Sequence, residues 1–223
     1  MIKSKTRIFL VDDHPIVRRG MQLLISLEPD LMVCGDAESA PVALEKILAV
    51  KPDLVVIDLA LTTGSGLDLI KQLRSQDSKV KLLVFSMRDE GVYAERALRA
   101  GANGYITKAE GTDKALEAIR LILQGKSVVS EKISAKMVER IASGGAPGQT
   151  ALELLSDREL EVLEMIGEGQ GSREIADQLG LSLKTVESHR EHIKAKLGLN
   201  SASELVRYAI NWGRSKQEMG GAS

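Results

Sequence analysis

Five polar side chains stand just past the ends of short apolar runs. Asp12 and Asp13 follow Arg7–Val11, Asp58 follows Leu54–Ile57, Ser86 follows Val80–Phe85 and Lys108 follows Asn103–Ile106. Brought to one place, three carboxylates, a hydroxyl and an ammonium can accept a phosphoryl group. A carboxylate is a nucleophile towards phosphorus. Crowded carboxylates repel one another and require a cation, and an all-oxygen donor set suits Mg²⁺. The ion and the Lys108 ammonium would offset charge on the transferring group, and the Ser86 hydroxyl would bond its oxygens. Each feature alone is weak, because an Asp-Asp pair is usually a polar turn and a lone Ser or Lys usually serves solvation. Their order within one repeating scaffold carries the weight.

That scaffold alternates. Between the apolar runs, helices are predicted over Pro15–Leu27, Ser39–Val50, Gly66–Ser75, Asp89–Ala100 and Thr112–Gln124, with a second short strand over Leu31–Val33. Gly101 and Gly125 close two of these helices. Five alternations predict a parallel sheet with helices on both faces. Parallel strands bring their carboxyl ends to one edge, where such sheets place ligands. Leu54–Ile57 is apolar throughout and reads as a central strand, with Asp58 at its mouth.

These residues resemble the receiver domain of two-component response regulators, over about Arg7 to Gly125. The resemblance implies a flavodoxin-like α/β fold with a five-stranded parallel sheet, order 2-1-3-4-5. It implies phosphotransfer from a sensor histidine kinase to Asp58. It further implies Mg²⁺ held by Asp13, Asp58 and the Ala60 carbonyl, with Asp12 helping through water. Tyr105 matches the family's switch aromatic. Val84-Phe85-Ser86-Met87 and Gly101-Ala102-Asn103-Gly104-Tyr105 match flanking segments. One departure is Leu61-Thr62, where the family usually has Met-Pro, which predicts a looser loop after the acceptor. Ala60 and Arg88 flank the family's path for attacking water.

Beyond Gly125 the pattern changes. One amphipathic helix is predicted within Lys126–Ser143, with Ile133, Met137, Val138 and Ile141 at helical spacing. A Gly-rich linker, Ser143–Thr150, follows. Strand signals then vanish and four helices are predicted: Ser156–Gly167, Ser172–Leu179, Ser182–Leu197 and Ser201–Trp212. The middle pair around Gly180 reads as a helix-turn-helix. Leu155–Glu159, Val162-Leu163, Glu174–Ala176, Leu179, Thr185-Val186, His189, Ile193 and Lys196-Leu197 together resemble the LuxR-type DNA-binding domain. Gly171-Ser172 departs mildly from a common Ser-Asn pair. The whole is similar to a NarL/FixJ-class response regulator, a receiver joined by a linker to an all-α four-helix DNA-binding domain. The expected boundaries are 1–125, a 126–150 linker, 151–215 and a frayed 216–223 tail.

On the third of these helices, Val186, Ile193 and Leu197 share one line and form the buried stripe. His189 lies beside that stripe and is assigned to packing and hydrogen bonding. The other face offers Lys184, Ser188, Glu191 and Ala195, flanked by Thr185, Glu187 and Lys194. Small Ser188 and Ala195 would let the backbone approach a major groove about 12 Å wide. From Ala151 to Ser223 there are nine Lys/Arg and twelve Asp/Glu, 9 − 12 = −3. From Lys184 to Lys196 there are four basic residues and two acidic, so any DNA affinity must be local and salt-sensitive. Ser201–Trp212 is a candidate dimer face for binding paired half-sites. The implied partners are a histidine kinase, double-stranded promoter DNA and a second copy when phosphorylated, with RNA polymerase a further candidate.

Thirty basic and 31 acidic residues exclude a generally basic nucleic-acid coat. One cysteine, Cys34, excludes an internal disulfide framework. The expected compartment is the cytosol, with no signal peptide and no run long enough to span a membrane. Two rivals differ in class. One is a regulator whose receiver works without phosphate. The other is an Asp-nucleophile phosphatase, an enzyme that usually carries Asp-x-Asp on its first strand.

Overall fold

Every apolar run that the sequence marks as a strand forms one. The computed structural model describes residues 5–76, 79–142 and 151–220. Strands β1 (Thr6–Val11), β2 (Leu31–Ala37), β3 (Leu54–Ile57), β4 (Lys81–Ser86) and β5 (Gly104–Thr107) make one parallel sheet. Its order, β2-β1-β3-β4-β5, is the expected one. Helices α1 (Pro15–Ser26), α2 (Ala40–Val50), α3 (Gly66–Gln76), α4 (Glu90–Ala100) and α5 (Thr112–Leu123) alternate with the strands.

The strands carry side chains to both faces with a period of two. Ile8, Leu10, Leu54, Val56 and Leu83 join Ile25 of α1 and Ile119 of α5 in one buried cluster. The alternate residues Phe9, Val55, Ile57, Leu82 and Val84 are equally buried, on the face that α2 and α4 cover. With no exposed side on β3, Asp58 enters the sheet edge from a fully apolar strand.

β2 runs past its expected end at Val33. Its register with β1 breaks between Ile8 and Phe9, which face Val33 and Gly35 and leave Cys34 unmatched. Gly35 permits this, because a Cβ there would lie 2.7 Å from Phe9 Cε2. Arg74 ties the far side of the sheet. Its guanidinium donates to the Gly101 carbonyl (2.6 Å) and the Val80 carbonyl (2.9 Å), linking α3, the α4 C-terminus and the start of β4.

After α5 the chain turns back along the sheet. Val128 forms a parallel bridge with Gly104 of β5, and α6 (Glu131–Ala142) packs against α4. The first compact unit accordingly extends to Ala142. The predicted Gly-rich linker, Ser143–Thr150, lies outside the described residues.

The second unit is helical: α7 (Asp157–Gly167), α8 (Ser172–Leu179), α9 (Leu183–Leu197) and α10 (Ala202–Gly220). α7 packs on both α9 and α10, and α8 on α9. Gly180, at φ 66°, makes the tight turn from α8 towards α9. Leu160, Leu163, Ile175, Val186, Ile193 and Leu205 are fully buried. α10 continues to Gly220 rather than stopping near Trp212; residues 221–223 lie outside the described set. Among the described residues, no helix is long and apolar enough to cross a membrane.

Candidate functional site

The carboxyl edge of the sheet gathers all five polar strand ends. Asp58 is 2 % exposed. Its Oδ1 accepts hydrogen bonds from Ser86 Oγ (2.5 Å) and the Ala60 N–H (3.1 Å). Its Oδ2 is paired with Lys108 Nζ, which also lies 2.6 Å from Asp12 Oδ2. One ammonium is thus shared by two buried carboxylates.

Local structure fixes each of these groups. Thr107 and Glu110 form a capping box around the short turn Lys108–Glu110 that carries the lysine. Asp12 Oδ1 accepts the His14 N–H (2.9 Å) just before α1, where Pro15 supplies the pre-set φ of a first helical residue. Arg18 braces the same turn from α1, donating to the Asp12 carbonyl (2.5 Å) and to Asp36 Oδ2 (2.9 Å). The loop after Asp58 lacks the Met-Pro pair, yet it is anchored. Leu59 and Leu61 are buried, and Gly66 N–H donates to the Leu59 carbonyl (3.3 Å). Gly66 sits so close beneath the loop that a Cβ would lie 2.6 Å from Leu59 Cα.

The electrostatics follow from this geometry. Burial raises the Asp12 carboxyl above its ordinary value, against hydrogen bonds from Lys108 and the His14 amide. Burial pulls the Lys108 ammonium down, but Asp58 and Asp12 outweigh it and the net shift is upward. The lysine is therefore charged throughout the neutral range. Three carboxylates against one ammonium, 3 − 1, leave two negative charges to be balanced.

Oxygens of Asp12, Asp13 and Asp58, with a His14 nitrogen, converge within 4.8 Å of one another. Asp13 Oδ1 is buried and accepts no hydrogen bond, although His14 Nδ1 stands 2.6 Å away. A buried carboxylate oxygen without a donor, beside two further carboxylates, fits a hard divalent cation such as Mg²⁺.

Tyr105 is fully buried, which raises its phenol well above the usual range. Its hydroxyl donates to the Arg88 carbonyl (2.8 Å). The Arg88 N–H donates to Ser86 Oγ (3.3 Å), and the Arg88 guanidinium stacks 5.5 Å from the Tyr93 ring centroid. Tyr105 therefore touches the segment after β4 rather than Asp58 itself.

In the second unit, α9 presents Lys184, Glu187, Ser188, Glu191 and Ala195 as exposed residues. Thr185 is drawn into the helix start, where Ser182 Oγ accepts its N–H (3.1 Å) and lies 2.8 Å from its hydroxyl. Lys194 is half-buried and pairs with Glu191 (2.9 Å). Val186 and Ile193 are buried, while Leu197 is half-buried. His189 sits beside them. Burial lowers its imidazole below the ordinary value, and its Nδ1 is buried without a partner. Two cations that sequence reading passed over are exposed Arg173 on α8 and half-buried Arg190 on α9.

The acidic residues of α7 do more than lie on a charged face. Glu159 is 4 % exposed. It completes the capping box with Ser156 and accepts from Lys196 Nζ (2.7 Å), joining α7 to the end of α9. Glu161, also buried, pairs with Arg158 (2.9 Å). On α10 the expected dimer face divides. Leu205 and Ala209 are fully buried, whereas Val206 and Ile210 line an open depression with Ala202 and Arg207.

Comparison with known proteins follows the same division. Residues 8–120 match the family described as response regulator receiver domain, and residues 153–209 match bacterial regulatory proteins, luxR family. The oxygen regulatory protein NreC of Staphylococcus aureus (strain MRSA252) is 36% identical over 209 residues, covering 92% of this chain and 96% of that protein. A two-component response regulator of the LuxR family from Aurantimonas sp. SI85-9A1 is similar in structure, with TM-score 0.57 and 36% identity. That match covers 62% of this chain and 99% of the other. RcsB from Salmonella enterica serovar Typhimurium, bound to promoter P1flhDC in the presence of the phosphomimetic BeF3-, matches with TM-score 0.66 and 25% identity. It covers 92% of this chain and 98% of its own.

Proposed function

The chain belongs to the two-component response regulators that pair a receiver domain with a LuxR-family DNA-binding domain, and we propose that it takes a phosphoryl group on Asp58 from a sensor histidine kinase and answers by changing its hold on promoter DNA. The observation that carries this reading is the position of Asp58: buried, central, and bonded at once by Ser86 Oγ and Lys108 Nζ.

In the transfer, a carboxylate oxygen of Asp58 forms the new O–P bond as the P–N bond of the kinase phosphohistidine breaks. Asp12, Asp13, Asp58 and the Ala60 carbonyl would hold Mg²⁺. When bound, the ion supplies charge neutralisation for the phosphoryl oxygens. Lys108 shares that task. The acceptor gains roughly 1.5 to 2 negative charges, and Ser86 Oγ turns from Asp58 Oδ1 towards the new oxygens. Because Tyr105 is already buried on the Arg88 carbonyl, the movement falls on the backbone from Ser86 to Arg88.

On DNA, α9 is about 22 Å long at 1.5 Å per residue and enters the major groove. Lys184, Thr185, Glu187, Ser188, Glu191, Lys194 and Ala195 form its contact set, and Glu187 and Glu191 accept from cytosine amino groups. The outer face of α10, with Val206 and Ile210, joins two copies on paired half-sites. RcsB bound to a promoter supports the DNA reading at the level of a relative.

The test uses acetyl phosphate and Mg²⁺ on the full chain and on Asp58→Asn. Wild type gains one phosphoryl group by intact mass and shifts its promoter affinity, while the variant does neither. Phosphate-stimulated binding that survives in the variant refutes the assignment.

A further inference from the structure

The segment after α5 is attached to the start of α4 by an incomplete helix start. Ser130 is the N-cap of α6: its Oγ accepts the Ile133 N–H (3.3 Å) and its carbonyl accepts the Ser134 N–H (3.0 Å). A full capping box also needs a Glu or Gln three residues on, to accept the cap's own N–H. That position is Ile133, which is buried at 3 % exposure. The acceptor comes instead from forty positions earlier. Glu90 Oε1 accepts the Ser130 N–H at 2.9 Å. Glu90 is the first residue of α4, the helix against which α6 packs.

The start of α4 is tied in turn to the acceptor. Asp58 Oδ1 accepts from Ser86 Oγ (2.5 Å), and Ser86 Oγ accepts from the Arg88 N–H (3.3 Å). Asp89 then caps α4 through the Val92 N–H (3.1 Å). A second route runs through Tyr105, whose hydroxyl holds the Arg88 carbonyl and whose N–H holds the Val128 carbonyl, each at 2.8 Å. Both routes end on the segment Val128–Ser130.

We propose that Glu90 makes the Lys126–Ala142 segment the reader of the acceptor site. The proposal rests on Asp58 being the acceptor. When Ser86 Oγ follows the phosphoryl group, Arg88 and Asp89 displace the start of α4 and Glu90 leaves Ser130. No residue of α6 stands at the position that would replace it, so α6 loosens from its first turn.

Hydrogen exchange of α6 in the full chain tests this, with intact mass recorded in parallel. Glu90→Ala should speed exchange at Ile133–Met137 about five-fold, as loss of a cap does, with β3 and β4 peptides unchanged. Glu90→Gln keeps an oxygen acceptor and should stay near wild type. Acetyl phosphate with Mg²⁺ should speed the same amides in wild type and add nothing in Glu90→Ala. Equal α6 exchange in wild type and Glu90→Ala overturns the proposal. So does a phosphorylated wild type, shown by mass, whose α6 is unaltered. Absence of any mass gain refutes the acceptor assignment, and with it the reading of α6 as a phosphate reader.

Discussion

Replacing Lys108 with Met would leave two carboxylates facing each other without their shared cation. Asp12 and Asp58 have side chains 7 % and 2 % exposed, and Lys108 is 9 % exposed, so solvent screens the pairing little. Removing one partner of a buried pair costs about 3–5 kcal/mol. Here one removal unpairs two groups, so the Mg²⁺-free receiver should lose at least about 3 kcal/mol at pH 7.5. The pH dependence carries a definite sign. Lys108 is raised in the folded state, so its stabilisation is complete below the ordinary lysine range, about 10.4, and is lost only as pH rises through the folded value. In the variant, Asp12 is already raised by burial and loses the hydrogen bond that opposes the rise. Protonation then relieves the repulsion, and the deficit should shrink as pH falls from 7.5 towards the ordinary carboxylate range. Mg²⁺ should also restore stability, by about 2.7 kcal/mol at a hundred times its dissociation constant. Urea titrations read by hydrogen exchange of the β3 peptide give the receiver's stability separately from the second unit. A deficit under about 1 kcal/mol at pH 7.5, or one that grows on acidification, contradicts the charge assignment.

Three further outcomes follow from the geometry. Gly66→Ala should destabilise the receiver by about 1–3 kcal/mol and slow acetyl-phosphate uptake at least about ten-fold, because the new Cβ meets the backbone of the acceptor loop. Gly20→Ala, with nothing within 4 Å, is the control and should leave both intact. The second unit should weaken in acid in two stages, followed by fluorescence of the single tryptophan, Trp212. Burial lowers His189, so its native state loses ground as pH falls below about 6.5. Glu159 is desolvated, but bonds from Lys196 and Ser156 lower it overall, so its contribution is lost below about 4.3. A flat profile from pH 7 to 5 in wild type would remove the His189 stage. Lys184→Ala should weaken binding to all DNA sequences alike and reduce the salt slope by about one, measured by titration at several salt concentrations. A sequence-selective loss would reassign Lys184 to base reading.

The fold was legible because its signals are local. A strand buried on both faces reads as an unbroken apolar run, and Leu54–Ile57 is one. Parallel order then brings Asp12, Asp58, Ser86 and Lys108 to one edge without knowledge of any contact. What escaped depends on partners far apart in the chain. Nothing near Arg74 indicates that it will meet the carbonyls of Gly101 and Val80, and nothing near Ser130 points back to Glu90. Gly66 reads as a helix start, and only packing reveals its approach to Leu59. The length of β2 was hidden by Gly35, which weakens a strand signal while it serves the Phe9 ring. Charge was legible in amount but not in placement. Glu159 and Glu161 count as surface acids in a sum, yet both are buried and paired.

The two borders of the sheet differ in how they meet other molecules. A bare strand edge is a template on which another chain can add, the first step of aggregation. On one border, Val128 receives the Tyr105 N–H and donates to the Asn103 carbonyl (3.1 Å), so the start of β5 is already occupied by its own chain. On the other, the extra residue Cys34 breaks the register of β2 with β1, and Asp36 holds a charge there against Arg18. A kinked, charged border resists stacking where a flat one invites it. Loss of the Val128 bridge would therefore expose a pairing surface as well as slacken a tether, and a regulator held long in that state would be the form most prone to self-association through its strands.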